Sequence, residues 1–75
     1  MEKLLSDFKI GEKGIVKKIN ADGRIKRRLF DMGVTPNTEI LLRKVSPLGD
    51  PIEVSVRGYE LSLRKDEANK VIMEV

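Results

Sequence analysis

The chain has 75 residues, with 15 Lys and Arg against 12 Asp and Glu, for a formal net charge of +3. It contains no Cys and no His. Disulfides, thiolate metal sites and His-activated nucleophiles are therefore excluded.

Length fits one domain spanning residues 1–75. The basic excess is mild. A dedicated nucleic-acid binder of this size carries more charge, because its affinity comes from neutralising several phosphates. One Tyr, two Phe and no Trp offer little for bases to stack on. Nucleic acid is disfavoured as a partner. No apolar run approaches the roughly 20 residues that span a bilayer. The opening MEKLLSDFKI lacks a signal-peptide pattern. A cytoplasmic protein without direct membrane insertion is expected.

In chain order, the first ten residues read as a lead-in whose Leu4, Leu5, Phe8 and Ile10 cover an open end of a core. Gly11–Gly14 is a turn. A strand follows through GIVKKIN, although its alternation is imperfect. Asn20 or Asp22 can cap the next element. From Arg24 the period changes. Ile25, Leu29 and Met32 fall at i, i+4 and i+7, which predicts a helix over about 22–32. Gly33 sits where a left-handed residue ends a helix. Val34 and Leu29 supply the apolar contact of a Schellman stop.

Thr35-Pro36-Asn37-Thr38 predicts a type II turn. Pro presets the first central position and Asn tolerates positive φ at the second. TEILLRKV reads as a strand, and the prolines of Pro47-Leu48-Gly49-Asp50-Pro51 mark a loop. Ile52, Val54 and Val56 alternate with Glu53, Ser55 and Arg57, the pattern of a half-buried strand. A turn at Arg57–Glu60 leads to a short strand with Leu61 and Leu63 inward. Asp66 can cap a helical turn near 66–69, and VIMEV closes as a last strand. The fold class is mainly β: a small five-stranded barrel with one inserted helix. So few strands must close or nearly close, since little material is left to cover the edges.

The chemistry of catalysis and metal binding is missing. The acids are scattered singly among bases. No hard-cation loop, P-loop or GxGxxG motif is present. No catalytic, cofactor-binding or metal-ligating residue is assigned, no cofactor is expected, and an enzyme is not.

Surface contact is what remains. Arg24, Arg27 and Arg28 form a basic flank beside the helix stripe, with Asp31 able to pair with either of the last two. The flank is either a solvated face or a docking strip for acidic surface or phosphate. Phe30 lies about 100° round from Leu29. The scarcity of apolar cover favours burying it under the N-terminal segment. Otherwise it is an exposed spot ringed by Lys26 and Arg27, the composition of a protein–protein anchor. Leu48 either anchors a partner from its stiffened loop or tucks over the barrel end. Tyr59 is expected at the rim, bonding through its hydroxyl.

In order and spacing, Arg28-Leu29 to Asp31-Met32-Gly33, the Pro36 turn, Pro47–Pro51, Arg57-Gly58 and Leu61-Ser62-Leu63-Arg64 resemble the FeoA family of bacterial ferrous-iron transport. The lead-in LSDFKIGEKGIVKKI matches its opening, so nearly the whole chain is covered. The family often has Gly after the turn proline, where this chain has Asn37, and Asn can hold the same conformation. The resemblance implies an SH3-like β-barrel with an inserted helix. It also implies an accessory or regulator of the membrane transporter FeoB, which carries a cytosolic GTP-binding domain. Direct iron binding is not implied. Similar barrels form the C-terminal domain of metal-dependent repressors, but a chain running from Met1 to Val75 suits a free-standing unit. The resulting expectation is a non-enzymatic module docking on FeoB. A nucleic-acid-binding barrel and a repressor-type regulatory domain are the alternatives. Open strand edges also leave weak self-association as an expectation.

Overall fold

A computed structural model describes residues 1–75. Its one sheet has six antiparallel strands in the order β1-β6-β2-β3-β4-β5. These are β1 (Glu2–Leu4), β2 (Lys13–Ile19), β3 (Glu39–Val45), β4 (Ile52–Val56), β5 (Tyr59–Leu63) and β6 (Val71–Glu74). Helix α1 (Gly23–Asp31) joins β2 to β3, and the short α2 (Lys65–Ala68) joins β5 to β6. The five strands expected from the sequence are all present. The sixth is β1, formed within the lead-in. Three residues are too short to show alternation; β1 exists because it pairs with β6, placing Lys3 opposite Met73. The sheet does not close, since β1 and β5 are unpaired on their outer sides.

The imperfect alternation of β2 has a structural cause. Val16 faces Met73 and Lys18 faces Ile72, so Lys17 is an extra residue in a bulge. The insertion lets Val16 and Ile19, an odd number of residues apart, both reach the core. The strand also begins one residue earlier than expected, at Lys13, inside the segment read as a turn. A Cβ at Gly14 would stand 2.8 Å from the Glu74 carbonyl oxygen.

Helix α1 starts where the Asp22 carboxylate accepts from the Ile25 N–H at 3.1 Å. It stops in a Schellman motif: the Val34 N–H donates to the Leu29 carbonyl and the Gly33 N–H to the Phe30 carbonyl, both at 2.9 Å. Gly33 has φ +94° and Asn37 has φ +72°. The Thr38 N–H closes the following turn onto the Thr35 carbonyl at 3.2 Å. Leu29 is fully buried, with Ile25 and Met32 packed beside it against the core. That core also holds Leu5, Phe8, Ile40, Leu42, Val54, Val56, Leu63 and Met73. Leu5 opens a 3-10 turn (Leu5–Asp7) that lies against β6 and α2. Ile10, expected to help cover the core, is instead 66% exposed.

Candidate docking surface

The basic flank divides once its partners are known. Arg24, Lys26 and Arg27 are exposed on α1 and form no ion pair. Asp31 makes none either, contrary to the helical pairing the sequence suggested. Arg28 turns to α2, where its Nε lies 3.2 Å from Glu67 Oε2. Glu67 is 8% exposed, and its other oxygen accepts from the Arg64 N–H at 3.0 Å. One carboxylate thus anchors α1 and starts α2. This start displaces the expected Asp66 cap: Arg64 is the capping residue, and the helix runs 65–68 rather than 66–69.

Phe30 is 39% exposed. The N-terminal segment does not bury it, because Leu5 and Phe8 are consumed in the core. Instead the Lys26 ammonium sits 5.9 Å from the ring centroid, within cation–π range. The Lys26 ammonium thus lies over the Phe30 ring, and Arg24 and Arg27 add unpaired positive charge to the same helix.

Tyr59, 44% exposed, donates its hydroxyl to the Met32 carbonyl at 2.7 Å. It satisfies an orphan acceptor at the helix end and bonds at the rim as expected.

Leu48 is 96% exposed at the tip of the β3–β4 loop, so it does not tuck over the barrel end. The loop beneath it is tied down. The Gly49 N–H donates to the Ser46 carbonyl at 2.7 Å. The Asp50 carboxylate accepts from the Lys65 N–H at 2.9 Å. Arg28, Asp50, Pro51, Ser62, Arg64 and Glu67 line a polar cleft of about 310 Å³ between this loop and the two helices. Sequence reading overlooked Asp50 and Glu67. The only available signal was an acid just ahead of, or inside, a helix start, which many surface acids share.

Arg57 was also overlooked. Arg57 and Gly58, with φ +49° and +86°, make the two-residue turn between β4 and β5. The Arg57 guanidinium donates to Thr35 Oγ1 at 3.1 Å and Thr38 Oγ1 at 3.0 Å. It binds the hairpin to the turn after α1.

No group of three carboxylates converges anywhere in the molecule, and no helix is long and apolar enough to cross a membrane. The arrangement offers contact chemistry: positive charge, an aromatic face and a stiff apolar tip.

The FeoA domain model matches residues 3–75. This chain belongs to the FeoA family. A FeoA-like protein from Clostridium acetobutylicum, solved by NMR, is 39% identical, with a TM-score of 0.92 over 99% of this chain and 86% of that one. The crystal structure of Stenotrophomonas maltophilia FeoA with zinc, described as a prokaryotic SH3 domain protein, is 26% identical. Its TM-score is 0.83 over 96% of this chain and 89% of that one. The fold is thus the SH3-like one of the FeoA family. Among curated proteins, a Porphyromonas gingivalis Fe(2+) transport protein A/Fe(2+) transporter FeoB fusion protein is 27% identical over 71 residues. The match covers 95% of this chain and 8% of that protein.

Proposed function

We propose that this chain is a non-enzymatic accessory module of bacterial ferrous-iron uptake. It acts by touching the cytosolic part of a FeoB-type transporter. The observation that carries this reading is the fusion relative, which has FeoA and FeoB parts in one polypeptide. Fusion supplies high effective concentration to a contact that separate chains must make by collision. The exposed chemistry agrees with it. Arg24 and Arg27 are uncommitted charges suited to steering toward acidic surface, Phe30 is an aromatic anchor beside them, and Leu48 is a rigid apolar tip. Arg28 is withdrawn from this role by its bond to Glu67.

The test is a titration of this chain against the intact transporter in nanodiscs, with and without GTP. Arg24→Glu with Arg27→Glu weakens binding by about tenfold or more at low salt, and the gap narrows near 0.5 M salt as charges are screened. Unchanged affinity at low salt refutes the helix-flank assignment. No binding by the unaltered chain in either nucleotide state refutes the reading itself.

A further inference from the structure

β5 pairs with β4 alone and forms one border of the sheet. Tyr59 and Val56 flank a two-residue turn, so they exchange hydrogen bonds, as do Leu61 with Val54 and Leu63 with Ile52. The backbone groups of Glu60 and Ser62 therefore point the other way, out from the sheet border. No backbone or side-chain hydrogen bond of the turns and loops reaches their N–H or carbonyl groups. Both residues are exposed. The opposite border is shorter, since β1 has only three residues.

We propose that the β5 border docks a second copy of this chain, strand against antiparallel strand, about a twofold axis at Leu61. The register follows from the backbone. Centring on Leu61 sets Glu60 against the partner's Ser62 and Ser62 against the partner's Glu60, and each pair exchanges both main-chain bonds. Every outward group of β5 is then satisfied. Centring on Ser62 would satisfy Ser62 alone, because Arg64, which Glu60 would face, already spends its N–H on Glu67 and its carbonyl on Glu67 and Ala68. The chosen register also keeps the two Glu60 carboxylates from facing each other directly, and a hydroxyl meets each one. The twofold relation makes the contact self-complementary and self-limiting. Two short strand borders bury well under the roughly 1,200 Å² of a stable interface, so the dimer is weak and forms only at high concentration.

The experiment is sedimentation equilibrium of the full chain up to about 1 mM, where complexes of this size class are populated. Amide NMR shifts of Glu60 and Ser62 are followed over the same range. The unaltered chain dimerises, and those two amides move with concentration. Ser62→Lys places a cation across from each Glu60 and tightens the dimer, while Ser62→Glu places like charges there and loosens it, each by about 2- to 10-fold. Ser62 is exposed and outside the β4 hydrogen bonds but faces Glu53 of its own chain. A thermal melt of each variant at micromolar concentration, where the chain is monomeric, therefore measures that intrachain contact separately. A monomer at about 1 mM overturns the proposal, whether the border then stays bare or takes another protein's strand. So do two charge variants that shift the equilibrium in the same direction or not at all.

Discussion

Replacing Gly33 by Ala tests how the end of α1 is built. A Cβ there would lie 2.3 Å from the Tyr59 hydroxyl oxygen, closer than any real contact. The backbone is also left-handed, at φ +94°, which costs a residue with a Cβ about 1–2 kcal/mol. The cheapest relief of the clash is for Tyr59 to swing away. That forfeits its bond to the Met32 carbonyl, worth about 1 kcal/mol. The sum, about 2–3 kcal/mol, is a large share of the stability of a domain this small. It corresponds to a fall in Tm of about 10–20 °C, read by circular dichroism. The decisive comparison is in the Tyr59→Phe background. There the hydroxyl is gone and the next ring atom, Cζ, is at an ordinary 3.6 Å. Gly33→Ala should then cost only the backbone strain, about 1–2 kcal/mol. An equal cost in both backgrounds would show that Tyr59 and Gly33 are not coupled, and would refute this account of the helix end.

Other outcomes follow from the same contacts. Glu67→Ala should cost about 1–3 kcal/mol, because it removes a buried acceptor that serves both Arg28 and the Arg64 N–H. Arg28→Ala should cost less than about 1 kcal/mol, its side chain being 60% exposed; urea titration ranks the two. Leu48→Ser should leave Tm unchanged within about 0.5 kcal/mol of stability, since Leu48 covers nothing, yet weaken transporter binding in the titration above. The Lys9 backbone N–H, and then the Lys3 ammonium, hold the Glu12 carboxyl below the usual glutamate range. Such a depressed group stabilises the fold above its unfolded value and loses that contribution as pH falls through its folded value. Glu12→Gln should therefore be less stable than the unaltered chain at pH 7. The gap should close below about pH 4.3, as seen by urea titration across pH.

Much of the fold was legible because its signals are local. The Leu29-to-Val34 stop, the Asn37 turn and the alternation of β4 each depend on residues within a few positions, and each formed as read. β1 and the bulge of β2 were not legible, because pairing with β6 creates both, and β6 lies at the far end of the chain. The surface was read less well for the same reason. Arg28 looked like a free member of a basic run until α2 brought Glu67 against it, 39 positions later in sequence. Phe30 looked in need of cover until Leu5 and Phe8 proved to be used elsewhere. Periodicity says which way a side chain points, and only tertiary contact says what meets it.

The extra residue in β2 gives one position of a strand a tolerance of deletion that strands otherwise lack. Lys17 is exposed, and exchanging it for another polar residue should matter little. Removing it should matter little as well: Val16 and Ile19 would then stand two apart, both on the core side of a regular strand, with Lys18 and Ile19 keeping Ile72 and Val71 as partners. Removing Ser55 from the regularly alternating β4, by contrast, would put Val54 and Val56 on opposite faces. A library that shortens the chain by single codons should therefore score Lys17 as permissive and Ser55 as unforgiving, although one that varies side chains would accept polar residues at both.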